Sequence, residues 1–209
     1  MTGEAPLAEK SATKGEQTRA GIIDAAQALF VERGYHGTSM RQIAERAGLA
    51  LGGIYNHFQS KEDLFVAVID AYHPYHDIIP IILTSSGETA EEYLRNVGLS
   101  VLESLKDRPR LLNLVLIELV EFEGRHIPIL VRKVVPLFAE ALGKVQRYRS
   151  ALRPLPLPLI IRTFVGLFFS HHVIELLIQN VPMADPTIDW VDGIVDIYLH
   201  GVLQPSSEA

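Results

Sequence analysis

Apolar residues recur at intervals of three and four along almost the whole chain, and no stretch sustains the alternation typical of a half-buried strand. This spacing predicts an all-α fold of about nine helices. Hydrophobic residues make up 48% of the 209 positions, which is ample material for a packed core. A chain of this length suits one large domain or a small domain joined to a larger one.

The composition excludes several classes of protein. Cysteine is absent, which rules out a disulfide scaffold and a thiolate metal site and is consistent with a reducing cytoplasm. The N-terminus is polar and has no apolar segment of the kind a secretory signal needs, so residues 1–14 are expected to form a disordered lead-in. Residues 205–209 are expected to form a short C-terminal tail. We therefore expect a cytoplasmic protein.

One segment is apolar enough to suggest a membrane helix. It runs from Leu155 to Val181, but Arg162, His171, His172 and Glu175 interrupt it. Charged residues near the centre of a membrane span each cost about 2.5 to 3.5 kcal/mol. We expect a helix that is buried inside the protein, or between two copies of it, and no membrane association.

The clearest signals for helix ends lie near the N-terminus. A first helix is predicted over residues 17–33 and ends at Gly34, which suits the left-handed residue after a helix. Thr38 or Ser39 then caps a short helix over residues 40–47, and a third helix follows over 49–58. Ser60 caps a fourth helix, which is expected to be disturbed at Pro74 and Pro80. Two short helices joined by a tight turn at 47–49 form a helix-turn-helix layout. Five small or apolar residues would bury these two helices: Ile43, Ala44, Ala47, Ile54 and Phe58.

The same segment carries a family resemblance. The matching positions are Gly34-Tyr35, Thr38-Ser39-Met40, Ile43-Ala44, Ala47-Gly48, Ile54-Tyr55, His57-Phe58, Ser60-Lys61 and Leu64, preceded by Thr18-Arg19, Ile22, Ala25-Ala26 and Leu29-Phe30. This run, over residues 17–68, resembles the signature of TetR-type transcriptional regulators. The resemblance implies a DNA-binding domain over residues 15–62 and a ligand-binding and dimerisation domain over residues 63–204. Beyond residue 68 the chain agrees with the family only in kind.

The resemblance also implies which side chains meet double-stranded DNA. Phosphate contacts are expected from Thr38, Ser39, Tyr55, His57 and Lys61. Arg41 is expected to reach a guanine edge, and Asn56 an adenine or a phosphate. The remaining positions, Ala50, Leu51, Gly52 and Gly53, offer apolar contact with thymine methyls or close backbone approach. Residues 14–61 carry six basic and four acidic side chains, a net charge of +2 against −8 for the rest of the chain.

A homodimer and a small-molecule effector are also implied by the resemblance. The helix predicted over 156–180 is apolar nearly all round, which favours burial against a partner. Together with a last helix over 186–203 it would form a four-helix interface between two copies. Such a dimer would place two DNA-binding domains, here called heads, on a pseudo-palindromic operator.

The effector pocket is less clearly marked. Polar residues embedded in apolar helices are candidates because burying them without a partner is costly. The candidate set is Glu118, Phe122, Phe164, Phe168, His171, His172 and Glu175. An alternative reading pairs His171 with Glu175 across one helical turn, at the surface or at the dimer interface. A zinc site using these histidines, Glu175 and His126 is another alternative, but the H-E-x-x-H order of zinc helices is missing.

The sequence therefore favours a ligand-responsive transcriptional regulator, and a repressor in particular, with no cofactor, no metal and no enzymatic activity. Two other hypotheses stay open. One is an all-α metal-dependent enzyme that uses His171, His172 and Glu175. The other is an N-terminal module that binds protein and not DNA.

Overall fold

The computed structural model describes residues 13–106, 108–178 and 188–203, and these are overwhelmingly α-helical. The α-helices within these ranges are α1 (Lys14–Arg33), α2 (Met40–Arg46), α3 (Leu51–Tyr55), α4 (Lys61–Tyr72), α5 (Tyr75–Thr84), α6 (Ala90–Lys106), α7 (Pro109–Phe122), α8 (Ile127–Val145), α9 (Leu157–Ile178) and α10 (Trp190–Val202), and a 3₁₀ helix, Gln146–Ala151, directly follows α8. An isolated antiparallel bridge joins Leu152 to Leu203. Most of the predicted lead-in, the predicted C-terminal tail and the facing ends of the predicted helices 156–180 and 186–203 lie outside the described residues.

The all-α prediction is confirmed, with one more α-helix in the described part than the nine expected. The additional helix arises because α4 ends at Tyr72 and α5 begins at Tyr75, with Pro74 at the N-cap of α5. Proline has no backbone N–H and cannot continue the hydrogen-bond ladder of a preceding helix. Pro80, the second position where we expected a disturbance, lies inside α5.

The chain divides into two compact units, Met1–Ala71 and Tyr72–Ala209. The first unit packs α1 to α4 around a core that includes Ile22, Phe30, Ile43, Ile54, Phe58, Leu64 and Phe65, each at most 1% exposed. Phe30, Tyr35 and Phe65 form an aromatic cluster with ring centroids 5.4 to 5.6 Å apart. Tilted and edge-on ring pairs of this kind stabilise a core beyond their buried area.

Local signals set the helix ends of the first unit, as the sequence predicted. Gly34 ends α1 with φ +73°, a backbone conformation that residues with a Cβ rarely adopt, and its N–H donates to the Phe30 carbonyl at 2.9 Å. Ser39 begins α2 with a capping box in which the Gln42 side chain also takes part. The Ser60 hydroxyl accepts from the Asp63 backbone N–H at 2.9 Å at the start of α4.

In the second unit, α6 is the central helix. Its apolar face, which includes Tyr93, Val97 and Val101, packs against α9 and α10. Arg95 on the same helix reaches Asp192 at 2.5 Å and Asp196 at 3.3 Å on α10. These contacts fix α6 and α10 side by side.

The helix α9 is long and apolar enough, by length and composition alone, to cross a membrane, which is weak support for a span because core helices of soluble proteins pass the same test. Only 17% of its most apolar 18-residue stretch is buried inside the single chain. Of the two kinds of burial that the sequence suggested, burial inside one chain therefore accounts for a small part of this helix.

Candidate functional site

The turn between α2 and α3 is tight and is held by backbone hydrogen bonds. Gly48 has φ +70°, and the Leu49 N–H donates to the Ala44 carbonyl oxygen at 2.9 Å. Ala44 is buried, as predicted. Below α3, Ile54 is fully buried, and Phe58 is nearly so. The α3 helix is thereby fixed on the core by its inner face, which leaves its outer face for contact.

Most of the predicted DNA-binding residues lie on this outer surface. Those that are exposed are Ser39, Arg41, Ala50, Leu51, Gly52, Tyr55 and Asn56, and those that are half-buried are Gly53, His57 and Lys61. Tyr55 and Leu51 are the large side chains of this face, 51% and 43% exposed. Leu51 and Tyr55 lie four residues apart on α3, so both contribute to its exposed, partly apolar face.

Thr38 is the predicted residue that does not lie on this surface. Its side chain is 2% exposed. The hydroxyl lies 2.9 Å from the Gly34 carbonyl oxygen and 3.1 Å from that of Leu29, so it donates to the C-terminal end of α1. Thr38 thus fastens the α1–α2 connection from inside, and its predicted phosphate contact stays a prediction.

Lys61 also has partners within the first unit. Its ammonium group donates to the carbonyl oxygens of Tyr35 at 2.8 Å and Thr38 at 2.7 Å, and it lies 4.1 Å from the centroid of the Tyr35 ring. These contacts join the start of α4 to the α1–α2 connection. The sequence predicted a phosphate contact for this residue. In the structure without DNA, its ammonium group contacts two carbonyl oxygens and one aromatic face.

Arg41 and Arg46 differ in how firmly they are held. Arg41 forms a surface pair with Glu45 at 3.0 Å in which both side chains are largely exposed, so it can exchange this partner for another. Arg46, which the sequence analysis did not single out, makes two hydrogen bonds to Glu32 at 2.6 and 2.8 Å and ties α2 to α1. Because these two residues are fourteen positions apart on different helices, no local spacing signal could have revealed the pair.

The second unit contains an apolar cavity of about 280 Å³. Its walls come mainly from α5, α6, α8 and α9, with Tyr198 from α10. Phe164 and Phe168, both predicted ligand-binding residues, lie in its wall and stack on each other at 4.1 Å. The cavity also touches His73 and Pro74, which form the break between α4 and α5.

Glu118 and Phe122, two other predicted ligand-binding residues, are not in the wall of this cavity. The Glu118 carboxylate, 1% exposed, accepts from the His126 backbone N–H and lies 2.8 Å from His126 Nδ1. The Phe122 ring packs edge-on against the His126 ring at 4.7 Å. These side chains hold the corner between α7 and α8, where Glu123 and Gly124 have positive φ.

The other three candidates line a second cavity of about 680 Å³ in the second unit. His171, His172 and Glu175 share its wall with Lys106 and Trp190. Burial lowers the pKa of the His171 imidazole, against the opposing effect of the Glu175 carboxylate. Burial also lowers the pKa of His172, despite a hydrogen bond to the Arg108 backbone, so both rings are neutral at neutral pH. Within the described part of the chain, no group of three or more histidine or acidic side chains is arranged to hold a metal ion.

Comparisons with known proteins place the first unit in a family. Residues 22–68 match the family model of "Bacterial regulatory proteins, tetR family". The regulator TtgR of Pseudomonas putida is 39% identical over 71 residues, which cover 34% of each chain. The regulator AcrR of Shigella flexneri is 33% identical over 131 residues, 56% of each chain. The chain thus covers about a third of TtgR and just over half of AcrR.

The fold of the whole chain has solved counterparts. The crystal structure of NalD of Pseudomonas aeruginosa superposes with a TM-score of 0.66 at 24% identity, over 91% of this chain and 99% of NalD. The proteins that match this chain are transcriptional regulators and not enzymes. The N-terminal helix-turn-helix thus matches the TetR family of bacterial regulatory proteins, and the chain shares its fold with NalD over nine-tenths of its length.

Proposed function

We propose that this protein is a transcriptional repressor that binds a pseudo-palindromic operator as a homodimer and leaves it when a small molecule enters the apolar cavity. The exposed outer face of α2 and α3 carries this proposal. Leu51 and Tyr55 are large and exposed there, while Ile54 and Phe58 fix the same helix to the core from below. A rigid, partly apolar helix face of this kind suits the major groove.

The side chains of that face divide into three roles. Tyr55, Asn56, His57 and Ser39 bring hydrogen-bonding groups for phosphates, and these contacts position the head on the duplex. Arg41, whose pair with Glu45 is exposed, provides a guanidinium for a guanine edge. Ala50, Leu51, Gly52 and Gly53 provide apolar contact or close backbone approach. Few of these groups read bases directly, so DNA shape contributes to operator choice.

Apolar side chains on α9 and α10 support the homodimer. The exposed ones are Leu159, Val165, Phe169, Ile174 and Leu177 on α9, and Trp190 and Ile197 on α10. An apolar surface of this extent on the last two described helices suits a contact between two copies. With this face covered by a second copy, α9 is accounted for in a cytoplasmic protein without a membrane.

The cavity's position supports regulation by a small molecule. It touches His73 and Pro74, directly after α4, and α4 begins at Lys61 in the first unit. A molecule that enters the cavity would contact the residues that directly follow α4. Repression is supported by NalD, which is described as the secondary repressor of a multidrug efflux pump. We propose that bound ligand changes the spacing of the two heads and weakens DNA binding.

The test begins with selection of a binding sequence from random DNA duplexes by the purified full chain. Affinity for the selected duplex is then measured by fluorescence polarisation. Tyr55→Ala and Arg41→Ala are each expected to weaken binding by about tenfold to 100-fold, since a good polar contact to DNA is worth roughly 1–3 kcal/mol. Arg132→Ala is the matched control, because Arg132 is an exposed arginine in the second unit. It is expected to bind as the parent does.

Two results would overturn the assignment. If both head variants bind like the parent, the reading surface lies elsewhere. If no sequence is enriched over random DNA, the protein does not read an operator. Repression is tested separately by placing the selected sequence over a reporter promoter, where the protein is expected to lower expression and not raise it.

A further inference from the structure

Among the described residues, the wall of the apolar cavity contains no charged side chain. Of the 24 residues that line it, only His73, Tyr75, Tyr93 and Tyr198 carry polar side-chain atoms. His73 Nδ1 accepts a hydrogen bond from the Tyr75 backbone N–H at 3.1 Å. This acceptor is already occupied by the protein.

The hydroxyls of Tyr93 and Tyr198 are occupied as well. The Tyr93 hydroxyl donates to the Ile82 carbonyl oxygen at 2.9 Å, and that of Tyr198 to the Ile160 carbonyl oxygen at 3.4 Å. Burial raises the pKa of Tyr93 to about 12 and raises that of Tyr198 further, so neither ionises near neutral pH. Apart from the imidazole of His73, the described wall therefore has no side chain that could balance a charge on a ligand.

Charge on a ligand is consequently costly in this cavity. An ionised carboxylate or ammonium group that enters an apolar space without a partner loses its hydration and gains no compensating interaction. A neutral apolar molecule gains from burial at every contact. This difference in the free energy of burial lets the cavity discriminate between molecules of the same shape by their charge.

The size and wall of the cavity restrict the range of possible ligands further. Its volume of about 280 Å³ is somewhat under twice that of an apolar cavity of roughly 150 Å³ that binds one benzene. Phe164 and Phe168 stack at 4.1 Å, and the Tyr198 ring meets Phe164 edge-on at 5.3 Å. A flat ring system adds to such an aromatic wall by stacking or edge contact.

We propose that the effector of this protein is a neutral, flat, apolar molecule of about two fused rings, and that the cavity rejects anionic and cationic molecules of the same shape. That this ligand acts as an effector rests on the proposed function. The ligand class itself follows from the cavity.

The test uses three molecules with the same ring frame: 2-methylnaphthalene, 2-naphthoate and 2-naphthylmethylammonium. Each is titrated into the full-length protein at pH 7 by isothermal calorimetry, without DNA. The neutral molecule is expected to bind at least about 100-fold more tightly than either charged one, given the cost of burying an unpaired charge. Comparable or tighter binding of a charged molecule would overturn the proposal, and so would failure of all three to bind.

A variant locates the binding in the cavity. Leu142 on α8 lines the wall and is half-buried, so a lysine there can carry its ammonium group at the cavity while its stem stays in apolar contact. Leu142→Lys is expected to gain at least about tenfold in affinity for 2-naphthoate, while Leu142→Met keeps the parent's preference for the neutral molecule. If Leu142→Lys folds, as judged by circular dichroism, and its preference is unchanged, the molecules bind elsewhere.

The same ligands are then added to the complex of the protein with its selected duplex. If 2-methylnaphthalene binds but leaves the DNA complex intact, the regulatory proposal fails and the ligand class stands. If the DNA complex is released only by a charged molecule, the ligand class fails and regulation by a small molecule stands.

Discussion

At the scale of single residues, the contacts of Lys61 favour a structural role over a role in DNA binding. Its ammonium group donates to the carbonyl oxygens of Tyr35 and Thr38 and lies over the Tyr35 ring. Hydrogen bonds to a charged group contribute about 1.5–3 kcal/mol each. Because Lys61 is partly exposed, we expect Lys61→Met to lower the free energy of unfolding by about 1–3 kcal/mol in urea denaturation.

Lys106→Met is the control for that prediction. Lys106 pairs with Glu103 at 2.6 Å in an exposed one-turn contact, which is worth at most about 1 kcal/mol. If Lys61→Met keeps the parent's stability but loses affinity for the operator, Lys61 acts on a phosphate directly and the structural role is wrong.

Residue roles in the head could be predicted where the signal is local. Gly34, Ser39 and Ser60 were assigned to helix ends from their own type and their immediate neighbours, and each stands there with the expected hydrogen bond. Thr38 and Lys61 were placed on the DNA surface by the resemblance. Their partners lie up to 26 residues away, and no spacing rule predicts which carbonyl oxygen a buried hydroxyl or an ammonium group will find.

At the scale of secondary-structure elements, the break between α4 and α5 depends on Arg108 as well as on Pro74. The Arg108 guanidinium donates to the Tyr72 carbonyl oxygen at 3.3 Å and forms an ion pair with Asp77, with both side chains partly buried. It thus spans the end of α4 and the start of α5. We expect Arg108→Met to lower the free energy of unfolding by about 1–2 kcal/mol and to speed hydrogen exchange in residues 72–78.

Arg110→Met, two residues along and exposed, is the matched control and is expected to change neither quantity by much. Unchanged exchange in residues 72–78 of the Arg108 variant would show that proline alone fixes the break. Faster exchange throughout the second unit would show a general loss of stability and not a local one.

Elements were predicted well where proline or glycine interrupts a helical pattern. The break at Pro74 follows from the missing N–H, although the pattern did not reveal that Pro80 is accommodated inside α5. The α7–α8 corner shows what the pattern could not reveal. Glu118 looked like a ligand group because it is an acid in an apolar helix, but its partner His126 lies beyond the helix end and satisfies it there.

At the scale of the whole molecule, the prediction concerns assembly. Leu177 on α9 and Ile197 on α10 are 70% and 68% exposed in the single chain, so neither contributes much to its core. In the proposed homodimer they are covered, and an acid at either position would bury an unpaired charge. We expect Leu177→Glu and Ile197→Glu each to convert a dimer into a monomer at micromolar concentration in analytical ultracentrifugation, with an unchanged circular dichroism spectrum.

Val120→Glu provides the control, because Val120 is an apolar residue 75% exposed on α7, outside the proposed interface. It is expected to remain dimeric. If it dissociates while the α9 and α10 variants do not, the contact between copies lies on α7 instead. The monomeric variants also bear on the operator: two linked heads gain affinity from binding together, so a monomer is expected to lose most of its affinity for the palindromic duplex and to keep that for a half-site.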